Sequence, residues 1–213
     1  MELMAGLSEG LAYVDEYLLV LDKPAGLLAV PGRGPDKQDC LAVRAQRLWE
    51  DALVVHRLDM ATSGLVLMGR GAEMQRRLGR LFEARAVAKR YVAVVAGHVE
   101  GASGTIALPL AADWPNRPLQ KVDLEQGRPS TTHWRVLARE NGRTRLALEP
   151  VTGRSHQLRV HLQAIGHPII GDALYAPPPV RAGAARLLLH ATELRFTHPA
   201  TDEAMEVRSA VPF

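Results

Sequence analysis

A single cysteine, Cys40, in 213 residues excludes an intramolecular disulfide and a thiolate cluster for zinc. It fits a reducing compartment and reads as a small semi-buried thiol rather than a nucleophile. No apolar run approaches the ~20 residues that a membrane-spanning helix needs. The N-terminus, Met1-Glu2-Leu3-Met4, lacks a basic segment followed by an apolar stretch, so a cytoplasmic protein without a membrane partner is expected. Neither sign of charge dominates: the net charge is +3, with a pI near 9.3. The chain is no histone-like polycation; anionic partners are permitted but not demanded. Internal repeats and low-complexity linkers are missing as well. The Pro/Gly-rich stretches, such as Pro31-Gly32-Arg33-Gly34-Pro35 and Pro177-Pro178-Pro179, are of loop length, so one domain over 1–213 is expected. A hydrophobic share of 47% with 23% charged residues excludes wholesale disorder. A core of this size buries roughly 70% of the unfolded surface and needs no metal or disulfide staple.

What is present is a run of short strands with few helices. Tyr17 to Leu21 reads as a strand closed by Pro24. Leu41, Ala45 and Leu48 have helical spacing behind Asp39, a candidate N-cap. Leu53 to His56 and Gly64 to Met68 are strands flanking a polar loop, and Met74, Leu78, Leu81 and Phe82 mark a second helix. Tyr91 to Ala96 is a buried strand with Tyr91, Ala93 and Val95 on one face. Ser130 to Leu137 and Thr144 to Leu148 form a hairpin around Asn141-Gly142. Leu158, Leu162 and Ile165 stripe another helix, with Ser155 a candidate cap and Gly166 a candidate stop. Leu187 to Leu189 and Leu194 to Phe196 are late strands. Strands outnumber helices without βαβ alternation, which predicts an α+β fold with a largely antiparallel sheet.

Charge is concentrated in one place. Arg70 to Arg90 holds seven basic and two acidic residues, a net +5, which leaves −2 for the rest. That suits phosphate binding as well as it suits a solvated helix face. Three segments carry candidate chemistry. His56-Arg57-Leu58-Asp59-Met60-Ala61-Thr62-Ser63-Gly64 is a loop between strands holding one carboxylate beside a basic pair. Lys89-Arg90-Tyr91 opens a buried strand with an aromatic ring, either core or a platform for a nucleobase. Thr152-Gly153-Arg154-Ser155-His156-Gln157-Leu158-Arg159 leads into a helix, with Arg159 at the edge of its apolar stripe and free backbone N–H groups at its start. His156 and His161 are five apart, the wrong spacing for a same-face metal pair, so no metal is expected.

These three segments, in this order and at these separations, resemble the signature motifs of the RluA family of pseudouridine synthases. The resemblance covers nearly the whole chain. It includes Asp22-Lys23-Pro24-Ala25-Gly26-Leu27, Asp113-Trp114-Pro115-Asn116-Arg117-Pro118 and Gly166-His167-Pro168-Ile169-Ile170-Gly171-Asp172. The catalytic pattern begins near Tyr13, so no S4 RNA-binding domain is expected. By position, the resemblance implies that Asp59 is the catalytic aspartate. It implies that Tyr91 contacts the flipped base, that Arg159 ion-pairs with Asp59, and that Arg57 sits where the base leaves the stack. Arg76, Arg77, Arg80 and Lys89, with Arg154, His156 and Gln157 at the helix start, are expected to contact RNA. The implied substrates are tRNA and rRNA stem-loops, bound by a monomer.

The implied reaction breaks N1–C1′ of uridine and joins C5 to C1′. No atoms enter and no redox change occurs, so it needs no cofactor. A carboxylate near C1′ either attacks that carbon or takes the C2′ proton to give a glycal; both routes are open. Two other classes compete. A non-catalytic RNA-binding module of the same fold has no use for a buried carboxylate facing phosphates. A nucleoside N-glycosidase wants two carboxylates, and the motif loop has only Asp59.

Overall fold

The structure, a computed structural model, describes residues 10–213. The reading of Met1 to Met4 therefore lies outside the described residues. Contacts divide the chain into two compact units, one formed by residues up to Lys89 with Ala191–Pro212, the other by Arg90–His190 with Phe213.

The first unit is a sheet backed by a helix. Strands β1 (Leu11–Val14), β2 (Leu18–Lys23), β3 (Ala52–Val54) and β4 (Ser63–Arg70) come before the long crossover. Strand β11 (Leu189–Thr197) and strand β12 (Ala204–Arg208) return to it late. The order is β1-β2-β4-β11, with β12 on β11 and β3 on β4. β1/β2, β2/β4, β3/β4 and β11/β12 all pair antiparallel. β2 and β4 are apolar on both faces, as central strands covered from both sides are. Helix α1 (Leu41–Gln46) follows Cys40, and helix α2 (Gly71–Glu83) packs Met74 and Leu78 against Leu18, Val20, Leu65, Leu67 and Phe196. Cys40 is fully buried.

The second unit holds β5 (Ala88–Ala96), whose first two residues fall on the other side of the division. It also holds β6 (Ser103–Ala107), β9 (Thr131–Glu140) and β10 (Arg143–Pro150), in the order β5-β10-β9-β6. β5/β10, β10/β9 and β9/β6 are antiparallel. The β9–β10 turn is Asn141 (φ 51°) and Gly142 (φ 69°), the two left-handed residues that a tight twisted hairpin needs. A short arm, β7 (Leu110–Ala112) with β8 (Gln120–Val122), stands as its own two-stranded sheet. Helix α3 (Gln157–Ala164) sets Val160 against Leu110 and Tyr175, and Leu119 and Val122 of the arm pack on that cluster. Helix α4 (Pro178–Arg181) is one turn.

The α+β, strand-rich expectation holds, and several local expectations need correction. Asp39 is not the cap of α1: Cys40 occupies that position, and Asp39 instead takes both Nε (2.8 Å) and Nη2 (2.6 Å) of Arg44. Ser155 does not cap α3. The position belongs to His156 in the left-handed region (φ 54°), with no side-chain cap bond. Gly166 does end that helix, at φ 83°, with the Gly166 and His167 N–H groups donating to Gln163 and Leu162 carbonyls. The two late strands are one, β11. β12, which no apolar run in the sequence announces, is its exposed and partly charged hairpin partner. β5 is a buried strand, as expected, with Val92 to Val95 buried on both faces.

Candidate active site

In the first unit the motif loop runs from the end of β3 to the start of β4. Asp59 is half-buried there, and its carbonyl accepts the Thr62 N–H at 3.1 Å to close a turn. The loop is fixed from below by Lys23, whose side chain is entirely buried. Its ammonium donates to the carbonyls of Pro24 (2.8 Å), Leu27 (2.8 Å) and Met60 (3.1 Å). The Gly26 N–H donates to the same Met60 carbonyl at 2.8 Å. A buried ammonium is tolerable only with its protons satisfied, and here those protons hold the residue next to Asp59. The motif glycine has a steric cause. Gly64 has φ 114°, and a Cβ there would drive into the Ala191 backbone. β4 and β11 approach too closely for any other residue. Leu58 is buried, while Arg57 is exposed with no hydrogen-bond or ion-pair partner among the described residues.

His56 supports the loop from the other side. Its Nε2 accepts the Leu67 N–H at 2.9 Å, and its ring stacks on Phe82 with 4.5 Å between centroids. Accepting at Nε2 requires the neutral imidazole. Burial, and secondly the charge on Lys89, push its pKa from 6.5 down to about 3. A folded pKa below the unfolded one means stability that is complete above pH 6.5 and declines as pH falls toward 3. We expect His56→Gln to have a shallower acid-unfolding limb between those values than wild type, read by circular dichroism. Equal limbs would show that His56 does not set acid sensitivity.

In the second unit Tyr91 is half-buried on β5, opposite Leu148 of β10. Arg90 before it donates Nε (3.0 Å) and Nη2 (2.9 Å) to one oxygen of Glu149. Lys89, half-buried on the same strand, has its pKa lowered by burial. Arg159 is 3% exposed on α3. The partner seen within its own unit is Asp172, fully buried, which accepts Nε at 2.8 Å and Nη2 at 2.7 Å. Asp172 Oδ1 also accepts the Leu174 N–H (2.9 Å) and Tyr175 N–H (3.2 Å), and the guanidinium carbon lies 5.0 Å from the Tyr175 ring centre. This clamp fixes the plane of the guanidinium. The Tyr175 hydroxyl accepts the Gln120 N–H of β8 at 2.9 Å and lies 2.6 Å from His156 Nδ1.

The expected RNA contacts separate into two kinds. Gln157 is 4% exposed. Its Oε1 accepts the Thr152 hydroxyl (2.7 Å) and Arg154 N–H (3.0 Å), and its Nε2 donates to Thr131 O and Thr132 Oγ1, both at 3.0 Å. It therefore staples the 152–157 turn to β9 instead of facing outward. His156 is engaged with Tyr175. Arg154 keeps a buried Nε with no hydrogen-bond partner among the described residues. On α2, Arg76 and Arg80 project opposite Met74 and Leu78, as four-residue spacing requires. Arg76 (2.6 Å) and Arg77 (3.0 Å) share Glu73, all three well exposed, and Arg80 is exposed with no partner among the described residues. Asp172, Tyr175 and Lys23 were missed as site residues. The signal available for Asp172 and Lys23 was only their place in stretches that resemble the family, and Tyr175 lies outside those stretches. Among the described residues no cluster of three His, Cys, Asp or Glu side chains could hold a metal.

A family model described as RNA pseudouridylate synthase matches residues 17–164, which include Asp59, Tyr91 and Arg159. The chain belongs to the RNA pseudouridylate synthase family. It is 48% identical over 202 residues to the dual-specificity RNA pseudouridine synthase RluA of Escherichia coli K12, spanning 94% of this chain and 92% of that one. The Vibrio cholerae RluA is 51% identical over 187 residues, 88% of this chain and 76% of its own. Among solved structures, human RNA pseudouridylate synthase domain containing 1 superimposes with a TM-score of 0.80 at 28% identity, covering 96% of this chain and 84% of that one. As a pseudouridine synthase, the protein is an RNA-modifying isomerase. Its large mixed sheet with few helices is the pseudouridine synthase fold.

Proposed function

We propose that this pseudouridine synthase modifies a uridine in a tRNA anticodon loop and a uridine in a hairpin of large-subunit rRNA. The observation that carries the proposal is its 48% identity, across 94% of the chain, to an enzyme named for dual specificity. Loop uridines have already lost most of their stacking and pairing, so flipping one out is cheap. Asp59 acts at the ribose, by attack on C1′ or by taking the C2′ proton. Tyr91 offers a π-face to the uracil and a phenol near C5. Arg159 stabilises the ionised carboxylate, and the Asp172 clamp presets its guanidinium. Arg57 enters where the base leaves. Pseudouridine mapping of total RNA from cells with and without the protein tests the targets. Loss of one tRNA anticodon-loop site and one large-subunit site is expected; loss confined to a single RNA class contradicts dual specificity.

The basic helix enters here as a phosphate-binding face. Exposed pairs such as Glu73 with Arg76 and Arg77 are weak, ~0.2–1 kcal/mol, so both arginines can turn to RNA, and Arg80 needs no release. We expect the triple replacement of Arg76, Arg77 and Arg80 by Ala to weaken stem-loop binding with kcat little changed. The slope of log K on log salt should flatten by roughly 0.7–0.9 for each phosphate that is no longer neutralised. A triple variant that matches wild type in affinity and slope would make these arginines a solvated face.

A further inference from the structure

The second unit has an exposed aromatic side chain that the catalytic roles leave unused. Trp114 is 67% exposed, the most exposed aromatic ring among the described residues, and it sits at the tip of the β7–β8 arm. The local sequence explains why it is held there. Pro115 starts a single three-residue helical turn, Trp114–Asn116, and three residues per turn brings residue 117 over residue 114. The guanidinium carbon of Arg117 lies 3.4 Å from the centre of the Trp114 ring. The turn is locked by Asp113, whose carboxylate accepts the Asn116 amide at 2.9 Å and whose carbonyl accepts the Asn116 N–H at 3.1 Å. The Asp113 N–H donates to Leu119 O, and Leu119 N–H donates to Asn116 O, both at 3.0 Å. Seven residues thus present one indole, backed by a cation on one face and open on the other.

We propose that Trp114, stacked on Arg117, is a platform for an unpaired nucleobase of the RNA substrate other than the uridine that reacts. Two observations favour a base over a protein partner. The contact that holds the ring is a guanidinium, and the ring is not part of the Leu110–Val160–Tyr175 apolar cluster at the base of the arm, whereas a protein interface core is built on apolar contact. The cation behind it suits a phosphodiester strand, which carries a negative charge with every base. The arm is also tied to the active-site cation. Gln120 at the base of the arm donates to the Tyr175 hydroxyl, and the Tyr175 ring lies beside Arg159. A base bound on Trp114 is therefore registered against the Arg159 cluster through β8. The platform makes Trp114 a specificity residue: it selects RNAs that have a second unpaired base at the right reach. The proposal rests on the reading that the substrate is a stem-loop.

The test uses an anticodon stem-loop RNA and three variants, Trp114→Ala, Trp114→Phe and Arg117→Ala. Trp114→Ala should raise KM about 5- to 100-fold, the loss seen when one stacked base is deprived of its ring, with kcat within two-fold and Tm unchanged. Trp114→Phe should recover most of that loss. One loop position, replaced in turn by an abasic site, should raise KM for wild type and leave KM for Trp114→Ala unchanged. An unchanged KM in Trp114→Ala overturns the platform, and so does an equal penalty from every abasic site in both proteins. If wild type fails to modify the stem-loop at all, the stem-loop reading falls. The platform is then judged by quenching of tryptophan fluorescence on titration with the same RNA, which must be larger in wild type than in Trp114→Phe.

Discussion

Asp59→Asn is expected to abolish pseudouridine formation, by at least about 10⁴-fold, while the protein folds and binds RNA as before. The expectation follows from how the loop is held. The turn at Asp59 rests on its own carbonyl, on the Lys23 ammonium and on the Gly26 N–H. None of these bonds involves the carboxylate oxygens, and Asn has nearly the same shape. What Asn lacks is the negative charge and the nucleophilic or basic oxygen, which either route to C1′ requires. The measurement is single-turnover pseudouridine formation alongside a filter-binding affinity and a melting curve. A folded Asp59→Asn protein that still turns over would remove Asp59 from the reaction.

Asp172→Asn is expected to cost several kcal/mol of stability. Arg159 and Asp172 are both buried and joined by two bonds, and Asp172 also takes two backbone N–H groups. Removing one charge of such a pair costs about 3–5 kcal/mol, because the other stays buried without its counter-charge. For a chain of this length that is a fall in Tm of roughly 6–20 °C. The combined replacement Arg159→Met with Asp172→Leu removes both charges and should melt well above Asp172→Asn. It should nevertheless turn over slowly, because the active-site guanidinium is gone. Recovered stability without recovered activity separates the two roles of this pair. An Asp172→Asn protein that melts like wild type would show that the clamp contributes little.

The strands of the core were legible because their apolar runs are long and their turns are marked. Asn141-Gly142 fixed the β9–β10 hairpin, and Pro24 and Gly166 fixed the ends of β2 and α3. β6, β7, β8 and β12 were not legible: each is three to five residues, too short to show a period, and gains its identity from the strand beside it. Helix caps misled for a related reason. Asp39 and Ser155 have the right chemistry, but the backbone passes the cap position to the next residue in each case. The motif positions of Asp59, Tyr91 and Arg159 could be picked out from the sequence because the family pattern is specific, and all three fall within the stretch that the family model matches. Asp172, Lys23 and the inward turn of Gln157 could not. They act through distances across 13, 37 and 26 residues of chain, which no local spacing encodes.

The most direct measurement of the central claim is tritium release from a stem-loop RNA carrying [5-³H]uridine, followed by nuclease digestion. Isomerisation moves C5 onto C1′ and expels its hydrogen while the base stays attached. Tritium should therefore appear in water one-for-one with pseudouridine in the digest, with no free uracil. Free uracil, or RNA that is bound without releasing tritium, would contradict the account.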